Sequence, residues 1–397
     1  MKKSIFKILL LGFIFWNCKS SAVLFSKGKT TAEAFDKTVS FTKNKGLMIV
    51  PIEIDGETYR FLFDTGAPMV ISTELQAKLQ CKKLTSKGVG DSQGRKKQLD
   101  YVRLPEIELA GQRFEKLTAI VADLNEAPAI GCFHLDGIIG ANMMRLAFWE
   151  IDYKADLMRF TNVWENIQLD STANHFNFYL QATGTPVIPE IFLDSVRISN
   201  VTFDTGSAGI LGVSNKNLPG LVLDSTVKSA VGHLSSGLYG SRIDTVFYVQ
   251  KPFVLGSDTI PNFPFEVQTE KEKKLLGMRY FKNYRMVLNW DERSAYLHPK
   301  HQLKPSDLKS FGISFNLENK HVLVGSLHRG SPAHLAGITL GDTVIHVNQI
   351  SSPIQNPEDY CQILDDMNGS EDIAFEIKGK GRFNLKKEAV YREESEN

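Results

Sequence analysis

The sequence predicts a mainly β protein of two similar lobes followed by a smaller α+β domain, and three observations carry that prediction. The tripeptide Asp-Thr-Gly occurs twice, at Asp64-Thr65-Gly66 and Asp204-Thr205-Gly206, each after an apolar run ending in phenylalanine. Around both copies, short runs rich in β-branched and aromatic residues alternate with Gly, Pro and Asp, the chemistry of strands and turns. From about Pro305 the pattern changes to that of a separate small unit.

The N-terminal 40 residues come first. Lys2, Lys3 and Lys7 precede an apolar stretch, residues 8–16, too short to span a bilayer but of the length of a signal-peptide core. Residues 1–17 therefore read as an export signal. It ends at Cys18, where a lipoprotein signal would be cut and the cysteine acylated, giving a lipid anchor at the membrane. Phe15-Trp16-Asn17 departs from the small residues usual before such a cysteine, so lipidation and an incidental cysteine both stand. Residues 18–40, rich in Ser, Thr, Lys and Ala without apolar periodicity, read as a linker between the envelope and the folded part. The expected location is the periplasm or outer membrane.

The first lobe is expected over residues 41–168, with strands at 47–54, 59–63, 104–109 and 117–121 and a helix at 73–80. The second, over 169–302, repeats the design with strands at 187–192, 196–203, 245–249 and 263–268. The duplication extends past the triplets. Gly137-Ile138-Ile139-Gly140 ends 76 residues after the first aspartate (64 to 140), and Lys274-Leu275-Leu276-Gly277 ends 73 after the second (204 to 277). A strand, turn and strand then follow each glycine: residues 149–153 and 157–160, then 287–290 and 295–297. With about 5% each for Asp and Thr and about 7% for Gly, chance supplies roughly 0.07 Asp-Thr-Gly triplets in such a chain.

Beyond Pro305, Phe311-Gly312-Ile313-Ser314-Phe315 is followed by a strand-like run at 321–327. Next come Gly330-Ser331-Pro332-Ala333 and Gly341-Asp342-Thr343-Val344. Residues 305–390 resemble a PDZ domain, in which Ser-Pro-Ala opens a short helix and Gly-Asp introduces the next strand. The resemblance implies a peptide-flanking helix at 357–368 and last strands at 373–377 and 383–385. It also implies that Phe311, Gly312 and Ile313 lie in a loop whose backbone amides capture a C-terminal carboxylate, the peptide adding as an edge strand. A spacer or intramolecular brace is the plainer role for such a domain.

Composition removes other classes. The 397 residues carry 46 basic and 45 acidic side chains, a net charge of +1, which leaves no excess field for nucleic acid. No Cys/His cluster has zinc spacing, and no phosphate loop or serine elbow occurs, so neither metal nor cofactor is expected. Cys81 and Cys132 both fall in the first lobe and an oxidising compartment allows them to pair, but buried free thiols are the plainer reading. His233, His334 and His346 read as surface or satisfied histidines, and the Lys271-Glu272-Lys273-Lys274 run and the tail from Arg392 as solvated faces.

A lone Asp-Thr-Gly is more often a strand-joining turn than a catalyst. The duplication reverses that balance, because hydrolysis without metal or covalent intermediate needs a base for water and an acid for the tetrahedral intermediate, and two adjacent carboxyls supply both. Close carboxyls cannot both ionise, so one proton is shared between them. On these motifs residues 45–300 resemble the pepsin and retropepsin-like aspartic proteases in single-chain form. The fold expected is thus a two-lobed pepsin-like (acid protease) double β-barrel plus a C-terminal PDZ domain.

That resemblance casts Asp64 and Asp204 as catalytic, with Thr65 and Thr205 bonding across to the opposite loop. Gly66 and Gly206 would donate amides to the carboxylates, and Gly140 and Gly277 would support the loops from behind. Ser207 is placed to donate to the outer oxygen of Asp204, whereas Ala67 has no hydroxyl to do the same for Asp64. The family's flap tyrosine has no counterpart in residues 88–94, and Tyr101 lies too far along to be its equivalent. The implied activity is an aspartic-type endopeptidase acting on protein or peptide substrates as a monomer. Two rivals remain: an exported peptide-binding module that has lost turnover, and lobes that pair with their twins in a second chain.

Overall fold

The computed structural model describes residues 21–270, 273–301, 303–305 and 308–391. The signal segment, Cys18, Lys271-Glu272 and the tail beyond Tyr391 lie outside the described residues. Among those residues no helix is long and apolar enough to cross a membrane.

Each lobe is organised around the strand that delivers its aspartate. In the first lobe that strand is Glu57–Asp64, whose Phe61 and Phe63 are fully buried. It lies antiparallel to Leu47–Ile54 and parallel to Gly137–Gly140, which places Gly140 opposite Asp64. Gly137–Gly140 also runs antiparallel to Val70–Ser72, so the strand after the first Asp-Thr-Gly loop and the one before it clasp the same partner. The second lobe repeats the pattern: Val196–Asp204 is parallel to Lys274–Gly277, with Gly277 opposite Asp204. Lys274–Gly277 is in turn antiparallel to Leu211–Ser214. The helix after Val70–Ser72, Thr73–Leu79, starts where the Ser72 hydroxyl accepts the Leu75 amide and stops where Gln80 turns left-handed at φ 47°.

The strand pairs that follow each glycine join the lobes. A six-stranded sheet runs Asn174–Asn177, Ser294–Pro299, Tyr284–Asn289, Phe148–Asp152, Leu157–Thr161, Asp36–Ser40. Its central pairing, Trp149 opposite Leu288 and Asp152 opposite Arg285, crosses the lobe boundary. Trp149 stacks on Phe160 and meets Phe63 edge-on at 5.1 Å, which ties this sheet to the strand carrying Asp64. Phe203 packs on Phe281 at 4.2 Å in the second lobe. One apolar core is therefore continuous through both lobes, and a second fills the PDZ domain.

Two expectations need correction. Residues 21–40 are not a free linker: helix Ser21–Phe25 buries Leu24 and Phe25, Phe35 is buried, and Asp36–Ser40 is the edge strand of the interlobe sheet. Isolated aromatics in a polar stretch show no periodicity, so only the pairing reveals their role. The cysteines also differ, since Cys132 bonds Cys361, 229 residues away, and Cys81 is a buried free thiol. The free-thiol reading thus fails for Cys132 and Cys361, whose Cα atoms are 5.1 Å apart, within the about 4.4–6.8 Å that a disulfide spans.

The third unit comprises Ile313–Glu318, His321–His328, Thr343–Val347, Asp372–Ile377 and Gly381–Lys386 with helix Pro357–Gly369. It is not strung on a tether. Ala230–Gly232 of the second lobe pairs antiparallel with Ser326–His328, so one 14-stranded sheet runs from the second lobe into this unit.

Candidate active site

The two Asp-Thr-Gly loops meet at the lobe boundary in a near two-fold arrangement. The Thr65 amide donates to Thr205 Oγ1 at 3.0 Å, and the Thr205 amide returns the bond to Thr65 Oγ1 at 3.0 Å. Each hydroxyl then donates to the carbonyl before the opposite aspartate, Thr65 to Phe203 at 2.8 Å and Thr205 to Phe63 at 3.0 Å. Both threonines are fully buried. Four bonds thereby lock one loop against the other, and each hydroxyl is both donor and acceptor, which is why threonine or serine chemistry is needed there.

The glycines act by absence. A Cβ on Gly66 would lie 2.6 Å from the carboxyl carbon of Asp204, and one on Gly206 would lie 2.2 Å from that of Asp64. Each aspartate thus sits against the bare backbone of the opposite loop, and no side chain fits between them. The amides of Gly66 and Gly206 donate to Oδ1 of their own aspartates at 2.7 and 2.9 Å. Gly140 and Gly277 come equally close to the loop backbones, where a Cβ would lie 2.0 Å from Pro68 C and 2.5 Å from Gly209 O. The following residues complete the support: the Ala141 amide donates to Ala67 O and the Met278 amide to Ser207 O. Asn142, which the sequence reading missed, is buried and bridges the loop to a neighbouring strand, accepting from the Met69 amide and donating to Thr118 O.

Asp64 and Asp204 are both half-buried residues. Burial raises the Asp64 carboxyl well above the usual carboxylate range, and the neighbouring Asp204 charge raises it further. Burial also raises Asp204, while its hydrogen bond to Asp64, the Lys273 charge and the amides of Gly206 and Ser207 pull it down. The pair therefore holds a proton at a pH where ordinary carboxyls have lost theirs.

Ser207 is a correction. Its hydroxyl makes no bond to Asp204 and lies 3.6 Å from where a Cβ of Gly209 would be. Ser207 acts on the Asp204 carboxyl through its backbone amide. Any inequivalence of the two aspartates rests on Lys273 and burial rather than on that hydroxyl.

Above the loops, hairpin Lys82–Gly90/Lys96–Arg103 of the first lobe reaches across to the second. Asp91 Oδ1 accepts the amides of Gln93 and Arg95 and shapes the tip. Arg95 then donates to the carbonyls of Tyr239 and Ser241, the latter at 2.8 Å. The Tyr239 amide donates to Asp91 Oδ2 at 3.0 Å and its hydroxyl to Val89 O at 3.1 Å. A tyrosine does stand at the flap tip, but the second lobe supplies it. Of the histidines, His233 bonds Ser241 Oγ, His334 accepts the Gly330 amide and His346 bonds Ser351 Oγ.

In the third unit Ser310, Phe311, Gly312 and Ile313 form a tight loop with Gly312 at φ 71°, Phe311 and Ile313 buried, and the Gly312 amide donating to Ser310 Oγ.

Fold and site together define a double-barrel aspartyl protease architecture with a C-terminal PDZ domain. Residues 50–143 match the family described as Aspartyl protease, a span that contains Asp64 and Gly140, and residues 323–376 match the PDZ domain family. No curated protein matches the chain.

Proposed function

We propose that this protein is an aspartic-type endopeptidase whose two carboxyls come from one chain. The observation that carries this reading is the reciprocal lock of Thr65 and Thr205, which holds Asp64 and Asp204 face to face with their pKa values raised by burial. With one proton shared, the ionised carboxylate takes a proton from a water as its oxygen attacks the scissile carbonyl. The protonated partner gives its proton to the carbonyl oxygen. Collapse of the tetrahedral intermediate returns that proton to the dyad, breaks the C–N bond and transfers a proton to the leaving amine.

The PDZ domain binds peptide ends, and in this reading it presents proteins to the cleft by their C-termini. The N-terminal leader and Cys18 assign the work to the cell envelope, with acylation of Cys18 as the anchor. A radiolabelled fatty acid retained by a Cys18→Ser variant would remove the anchor from this scheme.

Incubation with a diverse peptide pool across about pH 3 to 8 tests the central claim. Defined internal cleavages are expected, with a bell-shaped pH dependence, and Asp64→Asn or Asp204→Asn should each abolish them while the protein stays folded. Retention of uncut peptides on the wild type would instead mark a binding module, and cleavage by either variant would exclude the dyad.

A further inference from the structure

The PDZ domain offers one free backbone edge. Strand Ile313–Glu318 pairs with His321–His328 on one side, and helix Pro357–Gly369 lies along the other. The His328 amide donates to Gly312 O, so the alternate residue Ile313 turns its peptide groups toward the helix, where an added strand would meet them. Two residues later that edge is already taken: the Tyr360 hydroxyl donates to Phe315 O at 3.3 Å, in a buried position. Beyond it the first lobe enters. Cys132 bonds Cys361 on the helix, and Cys132, Tyr360 and Cys361 form one buried cluster against Leu317 of the strand and Leu364 of the helix. An ion pair of Lys45 with Asp365 and a contact of His134 Nε2 with Glu358 Oε2 at 3.4 Å flank the entry.

We propose that the first-lobe segment around Cys132, pinned by the disulfide, plugs the distal half of the PDZ groove, so that the domain accepts only the extreme C-terminus of a polypeptide. At about 3.3 Å per residue, the open edge from the Ser310–Ile313 loop to Phe315 holds about three residues and a free carboxylate. Upstream residues of a ligand must leave the groove there. Selection of substrates or regulators would then depend on a terminal tripeptide of any parent sequence. The inference rests on peptide binding by the PDZ domain and is independent of whether the cleft turns over.

Fluorescence anisotropy with labelled peptides that share their last three residues but have three or eight residues tests it on the full-length oxidised protein. The two lengths should bind the wild type with affinities within about a factor of three, a difference under 1 kcal/mol. In the Cys132→Ala/Cys361→Ala variant the octapeptide alone should gain at least about tenfold. Tyr360→Phe, which leaves the disulfide in place and frees the Phe315 carbonyl, should give a smaller gain in the same direction. An octapeptide that binds the oxidised wild type at least about tenfold better than the tripeptide would overturn the plug. So would equal affinities in all three proteins, or no binding by any of them. Cleavage is not measured, so this outcome is separate from the fate of the protease reading.

Discussion

At the scale of single residues, the dyad is expensive to keep charged and the threonine lock is expensive to break. Because the folded-state pKa values of Asp64 and Asp204 are raised, the native state holds protons that the unfolded chain has lost. Their contribution to stability is therefore complete below the ordinary carboxylate range and falls as pH climbs toward the raised values. Asp64→Asn should accordingly melt at a higher temperature than wild type near neutral pH, with the gain vanishing on acidification; equal gains at both ends in a calorimetric pH series would contradict this. Thr65→Val or Thr205→Val leaves a buried amide and a buried carbonyl without their threonine partner, at about 1–3 kcal/mol each, so either should lower stability by roughly 2–6 kcal/mol in denaturant melts. The aspartates, threonines and glycines were legible in the sequence because each answers a local demand: a carboxyl, a two-way hydroxyl, a missing Cβ. Asn142 and Lys273 were not, since nothing near them in the chain says that the one meets the Met69 amide and the other lies close to Asp204. Ser207 was misread for the complementary reason, its type being right and its rotation unknown.

At the scale of elements, the flap and the PDZ junction are held by polar contacts that titrate or loosen. Arg95→Ala removes two hydrogen bonds from the flap tip to the second lobe and should speed amide exchange over residues 89–95 while the strands behind the dyad stay protected. At the junction, burial pushes the His328 imidazole down to about 4, with Lys228 adding to the effect, and the ring stacks on Tyr248 at 5.2 Å. A lowered folded value means that the detached state binds the proton better. The pairing of Ala230–Gly232 with Ser326–His328 should weaken as pH falls from about 6.5 towards 4. Amide exchange at that ladder, corrected for its intrinsic rate, should show this weakening in wild type and lose it in His328→Phe. The strands of the ladder were visible as apolar runs in the sequence. Their partnership was not, because an edge carries no signal of which edge it will meet.

For the whole molecule, the disulfide is the longest covalent link among the described residues. Closing a loop of 229 residues is worth about 5 kcal/mol in chain-entropy terms. With it intact, lobes and PDZ domain should unfold together. Reduction, or Cys132→Ala/Cys361→Ala, should lower the melting temperature and separate a PDZ transition from that of the lobes; a single unshifted transition would show that the link adds nothing. The domain order and the doubled lobe were readable from motifs and spacing. The packing of residues 21–40 and the tie between the first lobe and the third unit were not, since both depend on contacts between distant segments.

The strand pairing at Ala230–Gly232 also bears on where the chain tolerates being cut. Without the PDZ domain that strand would be an open sheet border, with its own Val231 already 40% exposed, and such borders recruit other chains. The third unit is in this respect a lid on a sticky margin as much as a reader of peptides. A chain shortened after residue 304 should come off a sizing column as oligomers, and a charged substitution at Val231 should return it to a single chain.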